Sequence, residues 1–175
     1  MGDSMSSMVL SGDTSGTVTV TVPAVAGTNT ATIPAATGTV MVSGNMPSFS
    51  YWANSATTLS SNTPTKILFD TKEFDTNNNF SSSRFTPTVA GYYQISAGVG
   101  VASTYTNIST FIYKNGSAYK TGSQPTSGAV SSISSLVYLN GSTDYVEIYC
   151  NMLVGQNCAT GLQNTYVNGC LVRAA

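Results

Sequence analysis

The stretch RFTPTVAGYYQISAGV, residues 84–99, carries the strongest fold signal in this chain. From Tyr93 to Val99 every second residue is apolar, and this alternation is typical of a strand with one buried face. Pro87 and Gly91 precede the strand, and both are typical of turns because Pro fixes its φ angle and Gly tolerates unusual ones. The stretch therefore predicts a turn followed by a strand that buries the Tyr93 face.

The composition extends this prediction to the whole chain. Only 7% of the 175 residues are charged, and 25 Thr and 25 Ser supply the polar surface instead; an ordinary globular protein has roughly 25% charged residues. Thr, Val and Tyr favour strands, and no window shows the i, i+3, i+4, i+7 spacing of an amphipathic helix over three turns. We predict an all-β fold.

Charge and hydropathy argue against two kinds of partner. The six Lys and Arg residues are scattered singly, whereas nucleic-acid binding needs a clustered basic face. No apolar run approaches the roughly 18 residues of a membrane span. The first ten residues, MGDSMSSMVL, lack the basic start and apolar centre of a signal peptide. We expect no nucleic-acid partner, no membrane insertion and synthesis in the cytoplasm.

Three cysteines and no histidine limit metal and redox chemistry. Cys150, Cys158 and Cys170 show no Cys-x-x-Cys spacing, and a structural zinc site would need a carboxylate as fourth ligand, which is uncommon. We interpret all three as small apolar residues of late strands, with a Cys150–Cys158 disulfide as the alternative. We expect no cofactor.

The composition also changes along the chain. Residues 1–45 contain no aromatic residue and only two charges, and Thr19–Gly27 (TVTVPAVAG) is echoed by Thr30–Gly38 (TATIPAATG). Each copy reads as a short strand that ends at Pro and Gly. So few large apolar residues cannot order the segment alone. We predict an amino-terminal arm over residues 1–45, packed on sister subunits or another protein, and a domain over residues 46–175.

The second region contains every aromatic residue of the chain and reads as a series of short strands. We predict strands at 49–53, 65–69, 80–85, 91–101, 107–114, 118–122, 129–139, 144–150 and 166–173. The Asn-Gly pairs at 115–116, 140–141 and 168–169 predict turns, because Asn-Gly is the strongest short hairpin signal. Short strands at this spacing favour a sandwich or jelly roll over a parallel α/β sheet.

Several motifs of this region follow one another in a recognisable order. They are Ile67–Asp70 with Phe74 and residues 77–79, Phe85–Pro87, Gly91–Ser96, Tyr113–Gly116, Leu139–Ile148 and Val167–Val172. This order resembles the jelly-roll trimers typified by the globular head of complement's first component and by tumour necrosis factor. The resemblance implies an all-β jelly-roll β-sandwich that forms a homotrimer. It implies these structural motif residues: Phe85, Pro87, Gly91, Tyr92, Tyr93, Asn115, Gly116 and Gly169.

The chain departs from this family in three ways. Two residues are inserted between Gly141 and Asp144, Cys170 stands where the family has an aromatic residue, and no Gly triplets of a collagen-like stalk precede the domain. The missing stalk favours a viral branch of the fold over a secreted complement-type protein.

The arm shows a second resemblance. Leu10–Val20, Ala26–Thr28 and Ile33–Val40 resemble a segment widespread in tailed-bacteriophage virion proteins, where it lies just upstream of a trimeric tip domain; a generic Thr/Gly-rich linker is the alternative. The resemblance implies that the arm binds the virion. The residues implied in that contact are Leu10, Val18, Val20, Val22, Pro23, Ile33 and Pro34.

The acidic residues suggest two kinds of site, each with an ordinary alternative. Asp70, Asp75 and Asn77 offer hard oxygens of the kind calcium prefers, and a solvated Asn-rich turn is the alternative. Carboxylates after residue 45 could supply a glycosidase pair, but Asp70 and Asp75 stand in a Lys/Asn-rich turn and Asp144 stands where turn-forming side chains are common. Without His, a Ser–His–Asp triad is impossible. We expect no catalytic site.

These features lead to two classes of function. The first is a non-enzymatic structural protein of a tailed-bacteriophage virion. It is either a trimeric capsid decoration (cement) protein whose arm binds the major capsid protein or another virion protein, or a tail-fibre or spike tip that binds a host surface glycan. The short chain without a shaft favours decoration. The second class is a secreted trimeric ligand or lectin of the same fold. Tyr105, Tyr119 and Tyr166 suit sugar or protein contacts.

Overall fold

The computed structural model describes residues 7–25, 27–32, 35–38, 40–101, 107–125 and 130–175. The chain divides into two compact units, Met1–Gly38 and Thr39–Ala175. The described residues form fifteen β-strands and one 3-10 turn at Ser43–Asn45, which confirms the all-β prediction. No helix in these ranges is long and apolar enough to cross a membrane.

The first unit contains one antiparallel hairpin, formed by β1 (Ser7–Ser11) and β2 (Thr17–Thr21). Met8 lies opposite Val20, and Leu10 lies opposite Val18. Because directly paired residues point to the same face, these four apolar side chains share one face. The other face carries mainly Ser and Thr. An isolated two-stranded hairpin is marginally stable in water, so this unit gains stability only if another surface covers its apolar face.

The second copy of the sequence repeat behaves differently from the first. Thr19–Thr21 of the first copy belongs to β2, which ends before Pro23. The described residues of Thr30–Gly38 lie in no strand, so the strand predicted there is absent from them. Ile33 and Pro34 fall outside the described residues.

The second unit contains the remaining thirteen strands. They are β3 (Ser48–Trp52), β4 (Thr58–Leu59), β5 (Thr65–Lys66), β6 (Thr71–Asp75), β7 (Phe80–Ser81), β8 (Arg84–Phe85), β9 (Gly91–Gly100), β10 (Ile108–Lys114), β11 (Ser117–Thr121), β12 (Val130–Leu139), β13 (Val146–Met152), β14 (Gln156–Asn157) and β15 (Tyr166–Ala174).

Two antiparallel sheets organise this unit. The five-stranded sheet has the order β12-β9-β15-β3-β6, and the six-stranded sheet has the order β11-β10-β13-β8-β7, with β5 also paired to β13. Along the chain the long strands alternate between sheets: β9, β12 and β15 belong to the first, and β10 and β13 to the second. Connections that cross between sheets in this way are typical of Greek-key sandwiches.

The core lies between the two sheets and contains the inward face of β9. Tyr93, Ile95, Ala97 and Val99 are all buried, as the alternation predicts. The centroids of the Tyr93 and Phe85 rings are 5.3 Å apart. The Tyr93 hydroxyl donates to the Val89 carbonyl at 2.7 Å. That hydrogen bond satisfies the only polar atom of a fully buried side chain.

Three local predictions are wrong. The strand predicted at 80–85 is a hairpin of β7 and β8, with Ser82 and Ser83 in its turn at φ 51° and 55°. Asn168–Gly169 is no turn but lies within β15. The segment Thr71–Asp75, read as part of a Lys/Asn-rich turn, is the edge strand β6. The β7–β8 hairpin forms by local pairing across its two-residue turn, whereas in β15 and β6 pairing with a distant strand outweighs the local signal.

Candidate subunit interface

The outward face of the five-stranded sheet exposes an apolar cluster. Tyr92 of β9, Leu136 of β12 and Val172 of β15 are 41%, 48% and 58% exposed. Tyr92 pairs with Tyr138 across the strands, with ring centroids 5.4 Å apart. Tyr92, Leu136 and Val172 line one concavity of about 460 Å³ beside the last residues of β15. Large contiguous apolar patches are typical of protein-interaction surfaces, so this cluster is the candidate interface.

The middle of the same face is polar but uncharged. Gln94 Nε2 donates to Ser134 Oγ at 2.8 Å, and the hydroxyls of Ser134 and Ser96 lie 2.7 Å apart. Across β12, β9, β15 and β3 the one charged residue is Arg173, near the end of β15. Burying these four strands against another subunit would therefore remove little charge from water, and burial of unpaired charge carries a large cost. The edge strand β6 of the same sheet carries Lys72, Glu73 and Asp75.

The six-stranded sheet carries two ion pairs that share one carboxylate, Lys66–Glu147 at 2.7 Å and Arg84–Glu147 at 2.9 Å. A third pair, Lys114–Asp144 at 3.0 Å, lies at the edge of the sandwich, where Lys114 Nζ donates to the Tyr138 carbonyl of β12 at 2.8 Å. Hydrogen bonds from Asn115 and Lys114 hold the pKa of Asp144 below its ordinary value. Charged residues are thus present on both sheets: Lys72, Glu73 and Asp75 lie on the edge strand β6 of the five-stranded sheet, while the Glu147 ion pairs lie on the six-stranded sheet.

The eight motif residues have different structural roles. Phe85, Pro87 and Tyr93 are buried, whereas Tyr92 points outward into the apolar cluster. Asn115 and Gly116 form the predicted β10–β11 turn, at φ 53° and 80°. Gly91 and Gly169 lie in strands at close backbone approaches: a Cβ on Gly91 would lie 2.4 Å from the Arg173 carbonyl oxygen.

The suggested calcium ligands hold turns together instead of converging. Asp70 accepts the N–H groups of Asn54 and Ser55 at 2.7 and 3.0 Å. Hydrogen bonds from Ser55 and Asn54 lower the pKa of Asp70. Asp75 accepts the N–H groups at the start of β7, and the Asn77 side-chain amide donates to the Gly44 carbonyl at 3.1 Å. Among the described residues no group of three or more His, Cys, Asp or Glu side chains could hold a metal ion.

The cysteines are all free, and only two of them fit the interpretation from sequence. Cys150 and Cys158 are buried, and burial raises the pKa of Cys150 to about 12. Cys170 is exposed on the outward face of β15, so its interpretation as an apolar core residue is wrong. It points away from the core because it alternates with Gly169 and Leu171.

The predicted arm residues and two of the three predicted contact tyrosines differ in exposure. Leu10, Val18, Val20 and Val22 are each more than half exposed, and Pro23 is exposed. Tyr119 is exposed, Tyr166 is half-buried, and Tyr105 lies outside the described residues. Sequence reasoning missed Leu136, Tyr138 and Val172, although the alternation that places Val137 and Leu171 in the core would have assigned them to the outer face.

No protein-family model and no curated protein matches the sequence. Solved structures share its fold at low identity. The globular domain of zebrafish complement 1qA protein matches with a TM-score of 0.57 at 18% identity over 74% of this chain and 99% of that one. Murine APRIL matches with a TM-score of 0.59 at 7% identity, over 73% of this chain and 99% of APRIL. The PRD1 vertex protein P5 matches with a TM-score of 0.55 at 17% identity, over 74% of this chain and 98% of P5. These matches confirm the predicted jelly-roll β-sandwich.

Proposed function

We propose that this chain is a non-enzymatic structural protein of a tailed-bacteriophage virion, and that three copies form a capsid decoration (cement) protein. The jelly roll projects outward, and the arm binds the major capsid protein or another protein of the shell. The virion assignment rests on the fold shared with the PRD1 vertex protein and on the resemblance of the arm to phage virion segments.

The homotrimer is supported by an exposed apolar cluster on one sheet. Strands β12, β9 and β15 of the five-stranded sheet carry this cluster and one charged residue, Arg173, whereas the Glu147 ion pairs lie on the other sheet. Association through the first sheet buries apolar surface, which is the main favourable term in protein association. It also leaves the Glu147 ion pairs of the other sheet in place. The trimeric families that the sequence resembles make three copies the expected number.

The attachment role of the arm is supported by its hairpin. Met8, Leu10, Val18 and Val20 form one apolar face on an element too small to be stable by itself. A shell protein that covers this face would order the hairpin and gain affinity from the same contact.

The test is a binding assay on particles that lack the protein. Full-length chain and a variant lacking Met1–Gly38 are mixed with such particles, and bound protein is located by immunogold electron microscopy. We expect full-length protein on the capsid and no binding of the truncated variant. Label at the tail would show the alternative, a tail-fibre tip. Equal binding by both proteins, or no binding by either, would overturn the attachment role of the arm.

A further inference from the structure

A polar concavity lies on the second unit, away from the apolar cluster. It encloses about 530 Å³, and all eight residues that line it are polar or charged. Lys66 and Arg84 provide two cations, and the remaining lining residues carry amides or hydroxyls, among them Asn78, Thr86 and Thr88. No acidic residue lines it. The volume falls within the range of roughly 300–1,000 Å³ typical of small-molecule sites.

The two cations are held in place by the same buried carboxylate, that of Glu147. Lys66 Nζ and Arg84 Nε both donate to Glu147 Oε1, at 2.7 and 2.9 Å, and the Glu147 side chain is only 4% exposed. The Arg84 guanidinium also lies 3.8 Å from the centre of the Tyr145 ring, a favourable cation–π arrangement. Because two cations share one buried carboxylate, one positive charge stays uncompensated.

Arg84 retains donors for a ligand. Its Nε binds Glu147, while its two terminal amino groups donate to no group in the described part of the chain. A guanidinium with free terminal amino groups presents a fork that matches the two oxygens of a carboxylate. Since its position is already fixed, little conformational entropy is lost on binding.

Hydrogen bonds fix the backbone at the rim of the concavity. Asn78 and Ser82 line it with φ values of 53° and 51°, and the adjoining Ser83 has φ 55°. These left-handed conformations are unfavourable for residues with a Cβ, and they persist here through specific contacts. Lys66 Nζ donates to the Ser82 carbonyl at 2.9 Å, and the Ser83 hydroxyl accepts the Phe69 N–H at 2.8 Å. The φ values of Ser82 and Ser83 are those of the two-residue turn that joins β7 and β8.

We propose that this concavity binds a carboxylate-bearing sugar of a glycan, such as a sialic or uronic acid. Arg84 and Lys66 pair with the carboxylate, and one ligand charge matches the one uncompensated positive charge. Asn78, Thr86 and Thr88 hydrogen-bond the sugar hydroxyls, because amides and hydroxyls both donate and accept. The site requires neither the arm nor the trimer, so its test is independent of the virion assignment.

The test is a titration of the full chain followed by protein NMR, with four probes: sialyllactose, a glucuronic-acid-containing disaccharide, lactose and inorganic phosphate. We expect at least one acidic sugar to bind at least about tenfold more tightly than lactose or phosphate. If neither acidic sugar binds more tightly than lactose, or if phosphate binds as tightly as the sugars, the proposal is wrong.

Two pairs of variants locate the binding. Arg84→Gln should weaken binding of the acidic sugar by about tenfold, whereas Lys120→Gln removes the same charge from the exposed strand β11 and should leave it unchanged. Thr88→Glu adds a carboxylate to the wall without touching the Glu147 ion pairs, and should also weaken binding. Its control is Thr121→Glu on β11. Loss of affinity in the controls, or none in Arg84→Gln and Thr88→Glu, would overturn the assignment.

Discussion

Tyr93 and Gln94 are neighbours in sequence and lie in opposite environments. Tyr93 is fully buried, and burial raises its pKa to about 12. Tyr93→Ala should lower the free energy of unfolding by about 3–5 kcal/mol, because it removes a large buried ring. Gln94→Ala loses one surface hydrogen bond to Ser134 and should change stability by only about 0.5 kcal/mol. Urea midpoints test the contrast, and a more damaging Gln94→Ala would show that the faces of β9 are assigned the wrong way round.

Glu147 should make stability depend on pH. Burial raises its pKa, but the hydrogen bonds and charges of Lys66 and Arg84 outweigh burial, so the folded-state pKa lies below its ordinary value of 4.5. A depressed carboxylate pKa stabilises the fold above the unfolded-state value, and the contribution is lost as pH falls through the folded-state pKa. Glu147→Gln should therefore lose stability mainly at neutral pH.

Urea unfolding at pH 7 and below pH 4 measures this dependence. The Glu147→Gln variant should show a smaller difference between the two conditions than the unmodified chain. Asp13→Asn, which removes an exposed carboxylate between β1 and β2, serves as the control and should keep the full difference. An unchanged difference in Glu147→Gln would show that the ion pairs make no pH-dependent contribution.

Contacts of this kind could not be derived from the sequence. Lys66 and Arg84 are 81 and 63 residues away from Glu147, and only the pairing of β5 and β8 with β13 brings them together. Periodicity identifies the face on which a residue lies. It carries no information about which strand is the neighbour, so the polar concavity was absent from the predictions.

At the scale of elements, identical dipeptides adopt different structures. Asn115–Gly116 forms the β10–β11 hairpin turn, as predicted, whereas Asn168–Gly169 continues β15. The difference comes from packing, because β15 lies between β9 and β3 and pairs with both at Gly169. Long alternating strands such as β9 and β12 were predictable. The short strand β6 was not, because its residues alternate poorly and only its pairing with β3 defines it.

Gly169 should not tolerate a side chain. A Cβ there would lie 2.7 Å from Ile95 Cδ1, 2.8 Å from Phe49 Cε1 and 2.9 Å from the Gln94 carbonyl oxygen. Gly169→Ala should lower stability by about 1–3 kcal/mol, the usual cost of overpacking a core. Gly44→Ala is the control, because a Cβ on Gly44 would meet nothing within 4 Å. Thermal unfolding of both variants checks the prediction, and equal effects would contradict it.

At the scale of the whole molecule, the sandwich is chemically asymmetric. Strands β12, β9 and β15 carry the apolar cluster and one charged residue, Arg173, while the six-stranded sheet carries the Glu147 ion pairs and the polar concavity. The resemblance to trimeric jelly rolls implied that some surface is hidden by association. It did not indicate which sheet, because that assignment depends on the strand order β12-β9-β15-β3-β6.

The asymmetry makes the oligomer sensitive to charge on one sheet only. Leu136→Glu places a carboxylate in the apolar cluster, where association would bury it without a partner, and this carries a large desolvation penalty. Tyr119→Glu, on β11 of the other sheet, has a similar exposure, 45% against 48%. In sedimentation at micromolar concentration we expect trimers for the unmodified chain and for Tyr119→Glu, and monomers for Leu136→Glu. A monomeric unmodified chain would refute the trimer, and a trimeric Leu136→Glu would place the interface on another surface.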